Sequence, residues 1–377
     1  MRLPINILSG LGLACLFLSL STFANEIQSY TMNDYRHVEK IDVHTHIHNR
    51  NTTEFVKLLH KDNFKILTIN VDYNDFPSLE QQESIAVKLH KVYPQYVAFA
   101  ATFPVANFDK PEWLQDTLQH IDDMVSKGAV GIKVWKNIGM DLRSPDGKMI
   151  MLDDKHFDPI FDHLTQKNIV LLNHSGEPKN CWLPVEQMTV LNDKEYFKNH
   201  PQYHMYLHPD FPSYEQLMAA RDAMLTKNPG LLFVGVHLAS LEWSVDELGK
   251  FLDRFPTATV DLAARIGQLQ YQSNRDHQKV RDFFIRYQDR LMYGTDLSQS
   301  GEQAQSGEQP QSRDQPDKDF NNDAHNVWQR DWRYFNTGQL IQVPELREPV
   351  QGLALPKIVI DKLYAKNARK RFPNAWK

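Results

Sequence analysis

Along most of this chain, short apolar runs of strand length alternate with stretches whose apolar positions recur every three to four residues. The strand-like runs cover residues 40–46, 64–71, 96–104, 129–135, 168–174, 231–238, 258–263 and 290–295. They are almost continuously apolar rather than alternating, the pattern of strands buried on both faces in a parallel sheet. The stretches between them read as helices. In 111–127, Leu114, Leu118, Ile121 and Val125 share one face, and in 213–227 Leu217, Ala220 and Met224 do the same. Eight βα units are the count of a (β/α)8 TIM-type barrel, so the expected fold is a single α/β domain over residues 25–377. A doubly wound open sheet is the structural rival, but it accounts less well for the candidate ligands that end the strands.

Two connections exceed ordinary length. Residues 176–212, after the fifth strand, carry Trp182, Tyr196, Phe197, Tyr203, Tyr206 and Phe211, which points to an ordered lid. Residues 298–319, after the eighth strand, hold a near-repeat of Gln, Ser, Gly and Glu and almost nothing apolar. The expectation there is a mobile insertion. Beyond it, His325, Trp328, Trp332 and Phe335 fall on one helical face that should pack on the body.

Composition narrows the class. With 41% hydrophobic and 24% charged residues the chain suits a globular enzyme, and a formal net charge of −5 offers no basic footprint for nucleic acid. Residues 1–24 read as a cleaved secretory leader: Arg2, an apolar run over 7–20, then small residues up to Ala24. That run falls short of the ~20 residues needed to span a bilayer. The mature chain is therefore expected in the periplasm or outside the cell, with no membrane span. Cys181 is its one cysteine, so no internal disulfide can form. The oligomeric state stays open, and a homo-oligomer is compatible with the chain.

The most informative motif is Ile41-Asp42-Val43-His44-Thr45-His46. Residues i and i+2 of a strand project to the same side, so His44 and His46 leave one strand end together as two legs of a metal site, most naturally zinc. Further candidate ligands end later strands: Lys133 in the fourth, His174 in the fifth, His237 in the sixth and Asp296 after the eighth. In a barrel these positions converge on one mouth. Imidazoles plus one carboxylate, with an open position, hold a metal that lowers the pKa of bound water toward ~7. Asp296 is then placed to accept that water's proton and His237 to polarise a carbonyl. Arg265, just beyond the seventh strand, is a candidate clamp for a substrate carboxylate, with an ordinary loop ion pair as the alternative. His48 lies in the loop beyond the first strand, and His200, His204 and His208 belong to the lid.

This pattern resembles the amidohydrolase superfamily, and most closely its amidohydrolase-related branch, which also includes decarboxylases and lactonases. The likeness spans nearly all of the mature chain, through a terminal helix over 358–372. It implies that His44, His46 and Asp296 bind a divalent metal with His174 as a fourth ligand. His237 would hold a second metal or polarise the substrate. In members with two metals a carboxylated lysine bridges the ions, and Lys133 stands at a suitable place, while many one-metal relatives lack such a lysine. The implied function is metal-dependent hydrolysis of an amide, ester or lactone in a small molecule, with one or two ions. Non-oxidative decarboxylation of a small carboxylic acid is the alternative, and a non-catalytic exported binding protein a more distant third.

Overall fold

The computed structural model describes residues 28–49, 52–73, 76–299 and 318–377. The leader over 1–24, and residues 300–317 of the expected insertion, lie outside the described residues.

Each expected strand is present, the first with the expected bounds and the other seven trimmed. They are β1 (Lys40–His46), β2 (Phe64–Ile69), β3 (Val97–Thr102), β4 (Gly131–Val134), β5 (Val170–Asn173), β6 (Phe233–Gly235), β7 (Thr259–Asp261) and β8 (Leu291–Met292). A ninth, β9 (Leu297–Ser298), was not anticipated. The sheet runs β8-β7-β6-β5-β4-β3-β2-β1-β9, and every neighbouring pair is parallel. β8 and β9, at the two ends of that order, are nearly consecutive in the chain. Between and beyond them the Val43 amide donates to Tyr293 O, Asp296 N to His44 O, and Gln299 N to His46 O, at 2.8–3.0 Å. One continuous segment thus borders β7 first and β1 afterwards, and the sheet curls round on itself.

Helices follow the strands as the periodicity predicts, including Trp113–Ser126 and Tyr214–Lys227. The helix Lys318–Asn336 buries Trp328, Trp332 and Phe335 completely, with the Trp328 ring stacked 4.1 Å from Phe64. The C-terminal helical run is three joined pieces, Lys357–Asp361, a π-helical Lys362–Lys366 and Asn367–Arg371. Among the described residues, no helix is long and apolar enough to cross a membrane.

Three local differences matter for the site. The run expected to extend the sixth strand to Leu238 instead leaves the sheet after Gly235. His237, Leu238, Ala239 and Ser240 all take left-handed φ values of 54–58°. A side chain at Gly235 would put its Cβ 2.5 Å from the Ala239 Cβ, so only glycine lets the chain fold back this tightly. At the start of the polar segment, Ser298 pairs with β1 and Gln299 is buried, its Oε1 accepting the amides of His48 and Asn49. The lid over 176–212 is built of short helices around its own small core of Cys181, Met188, Phe197 and Met205. Its histidines bond to lid carbonyls, His200 to Tyr196 O, His204 to Leu183 O and His208 to Pro201 O.

Candidate metal centre

At the C-terminal end of β1, beyond a register irregularity between Asp42 and Thr45, the imidazoles of His44 and His46 meet Asp296 coming from the β8–β9 segment. His46 Nε2 lies 3.1 Å and His44 Nε2 3.3 Å from Asp296 Oδ1, while His237 Nε2 is 3.9 Å from Oδ2. The donor atoms of His44, His46 and Asp296 all fall within 4.8 Å of one another. His44, His46 and His237 are buried, whereas the Asp296 side chain keeps 31% of its surface and opens the set to the mouth.

The opposite ring nitrogens decide what this set can hold. His46 Nδ1 faces Ile69 O at 2.8 Å and His237 Nδ1 faces Ala263 O at 2.8 Å. A carbonyl only accepts, so both Nδ1 atoms must carry the hydrogen. His44 Nδ1 is held 3.0 Å from the Asp261 carboxylate and is placed the same way. All three Nε2 lone pairs therefore turn inward, toward a carboxylate that also only accepts. Acceptors packed this closely need a cation between them, and imidazole nitrogens with one carboxylate oxygen suit a divalent transition metal. The electrostatics agree. Burial pushes the His44, His174 and His237 rings below the usual imidazole range, keeping them neutral. Burial works against the Asp296 charge, yet its carboxyl is held well below its ordinary range by the positive charge that His44, His237 and His46 carry when protonated, a charge that a bound cation supplies when the rings are neutral.

Not every candidate joins the close set. His174 packs edge-on against His237, ring centres 4.3 Å apart, and its buried Nε2 has no hydrogen-bond partner. Lys133 is 1% exposed, and burial brings its ammonium down to about 8 despite the pull of Asp261 and Asp296. No carboxylate among the described residues pairs with it within 4.0 Å. Arg265 is buried and donates to Ala264 O at 3.2 Å, while its Nε finds no partner. His48, left aside from the sequence, bonds to Gln299 O and packs on Phe76 beside His46.

Two supporting residues escape a reading by motif. Asp261 ends β7 fully buried. Its Oδ1 accepts the His237 amide at 2.7 Å and the Ala263 amide at 3.2 Å, and its Oδ2 holds His44. Asp42, two residues before His44, is equally buried. The signal available for both was an acidic residue inside an apolar run, which must find partners when buried.

A family profile described as "Amidohydrolase" matches residues 98–373, from β3 through the C-terminal helices. No match was found among curated protein sequences. Of solved structures, a TIM-barrel protein from Bordetella bronchiseptica is similar at 12% identity and a TM-score of 0.50, covering 90% of this chain and 100% of that one. A 2,6-dihydroxybenzoate decarboxylase from Rhizobium is 13% identical with a TM-score of 0.48, covering 89% and 99%. A 4-oxalomesaconate hydratase from Rhodopseudomonas palustris is 13% identical with a TM-score of 0.44, covering 89% and 96%. At such identities likeness speaks to fold alone. The profile match extends over well more than half of the sequence, and the chain belongs to the amidohydrolase family.

Proposed function

We propose that this protein is a metal-dependent hydrolase on a (β/α)8 barrel, cleaving an amide, ester or lactone bond of a small molecule. The observation that carries the reading is the inward convergence of three Nε2 lone pairs on Asp296, each with its Nδ1 hydrogen committed elsewhere. His44, His46 and Asp296 are the ligands that fit, with His237 and then His174 next to them. A divalent ion there, zinc being the natural match for this donor set, would supply Lewis acidity that polarises a carbonyl and makes water a stronger acid.

The chain's own residues supply the rest. Asp296 keeps Oδ2 turned toward the mouth and His237, so it can take a proton and later hand it to the leaving group. His237 Nε2 is available at the same face to orient a substrate oxygen. Lys133 lies close enough to Asp261 and Asp296 to act on their charges, and we assign it to the rim of the centre, as a ligand only if carboxylated. Arg265, buried with an unpaired Nε beside His174 and His237, offers a seat for a substrate carboxylate. That same guanidinium is what favours a second reading, decarboxylation of a small acid.

The test is metal content per chain on protein purified without added metal, followed by a panel of amides, esters and lactones assayed beside candidate acids for carbon dioxide release. Stoichiometric metal that disappears in the His44→Ala, His46→Ala double variant, together with hydrolysis of any panel member, is the expected result. Metal bound equally well by the double variant would sink the assignment.

A further inference from the structure

One buried carboxylate on β1 gathers donors from three separate parts of the chain. Asp42 Oδ1 accepts the amide of His44 at 3.2 Å and that of Thr295 at 3.0 Å. Its Oδ2 accepts the Thr295 hydroxyl at 2.6 Å and the indole N–H of Trp328 at 3.1 Å. Three of these donors are N–H groups that cannot reverse their role. The hydroxyl is committed too, because Thr295 Oγ1 receives the Leu297 amide at 3.1 Å and must send its own hydrogen to Asp42.

The donors are not arbitrary. One is the backbone of His44. Another is the residue immediately before Asp296, which itself sits at a left-handed φ of 69°. The third, Trp328, belongs to the helix Lys318–Asn336, on the far side of residues 300–317. The direct ladder link between the two ligand-bearing segments at this level is the Asp296 amide on His44 O. That bond is one rung of a ladder that also carries Val43 N on Tyr293 O and Gln299 N on His46 O. The two-oxygen grip of Asp42 on Thr295 adds a side-chain tie between the first two rungs, fixing the residue before Asp296 against the strand that carries His44.

We propose that Asp42 is a positioning residue for the metal-binding set and that Trp328 makes the helix Lys318–Asn336 part of the same scaffold. The proposal rests on the metal reading above. Groups that hold metal ligands in place commonly contribute 10–100-fold to affinity. A carboxylate that merely stabilised the barrel would lower the melting temperature when disturbed and leave the affinity of the folded protein alone.

The experiment measures zinc affinity of the full chain by competition with a chromophoric chelator, beside the melting temperature of the zinc-free protein. Thr295→Val removes the hydroxyl donor at nearly constant volume, Thr295→Ser keeps it, and Trp328→Phe removes the indole N–H. Thr295→Val is expected to bind zinc about tenfold or more weakly and to shift the visible spectrum of the cobalt-loaded protein. Thr295→Ser should return to wild-type affinity, and Trp328→Phe should also bind zinc more weakly. Asp42→Asn, where it folds, should lose at least as much as Thr295→Val. Wild-type affinity in both Thr295→Val and Trp328→Phe, whatever happens to melting, overturns the proposal while the metal reading stands. A wild-type protein that takes up no zinc overturns the metal reading, and the proposal falls with it.

Discussion

Asp261 Oδ2 stands 3.0 Å from Nδ1 of His44, joining two residues 217 positions apart. The same carboxylate accepts the amide of His237 through its other oxygen, so one buried side chain orients two members of the candidate centre. Asparagine in its place cannot accept on both sides. Its amide N–H2 would point either at the His237 amide, donor against donor, or at His44 Nδ1, forcing the ring hydrogen onto Nε2 where the metal should bind. Asp261→Asn is therefore expected to weaken metal affinity 10–100-fold, read by chelator competition. An affinity within twofold of wild type would remove Asp261 from the support of the centre.

The role of Asp296 divides between ligand and proton acceptor, and one variant separates the two. Asp296→Asn keeps the shape but takes away one acceptor oxygen. If the carboxylate moves the proton, kcat should fall about 100-fold or more, with KM little changed and metal retained. If it serves only as a ligand, metal occupancy falls first and kcat follows it. Occupancy by elemental analysis, measured beside kcat, tells these apart, and near-normal kcat would defeat both roles.

The sequence could be read furthest where burial imposes a repeating pattern. Eight parallel strands flanked by helices are nearly all apolar, so their runs stood out, and the two-residue period placed His44 and His46 on one side. The turn after β6 could not be seen this way. Val234, Val236 and Leu238 look like a continuing strand, and the one residue that permits the tight exit, Gly235, where a Cβ would meet the Ala239 Cβ at 2.5 Å, shows its role only once the fold brings the two together. β9 is two residues long and has no period to detect; its pairing depends on the neighbouring strand. Asp42 and Asp261 were hidden for a different reason. Each reads as a lone polar interruption until its donors, which lie up to 286 residues away, are brought beside it.

The β6 exit makes a sharp prediction. Gly235→Ala should overpack the turn that presents His237, costing about 1–3 kcal/mol, and should weaken metal binding or activity as His237 is displaced. Ala239→Gly removes the opposing Cβ and also suits the left-handed φ of 54° at that position. The double variant should therefore recover much of the stability lost by Gly235→Ala alone. Denaturant unfolding of the two single variants and the double one measures the coupling. Simple additivity would mean that the two positions do not press on each other.

At the opposite end of β1, Lys40 is fully buried, with its Nζ 4.6 Å from the centre of the Tyr35 ring, 4.9 Å from Phe64 and 5.3 Å from Trp332. It donates to the carbonyls of Tyr35 and Val38. Two effects oppose each other there. Burial pushes the ammonium down to about 7, against the pull of Asp62 and Glu39, while the ring faces favour the charge. If burial wins, an unfolded chain holds a proton between about pH 7 and 10.5 that the folded one has released. Stability must then rise with pH across that window, by up to ~1.4 kcal/mol per unit, and be lost again as pH falls toward 7. Below that range both states are protonated and the slope disappears. Lys40→Met removes the titrating group, so the expected signature is a wild-type stability that climbs relative to the variant between about pH 7 and 9 in denaturant unfolding. Curves that stay parallel across the range would show that the aromatic cage keeps the ammonium charged.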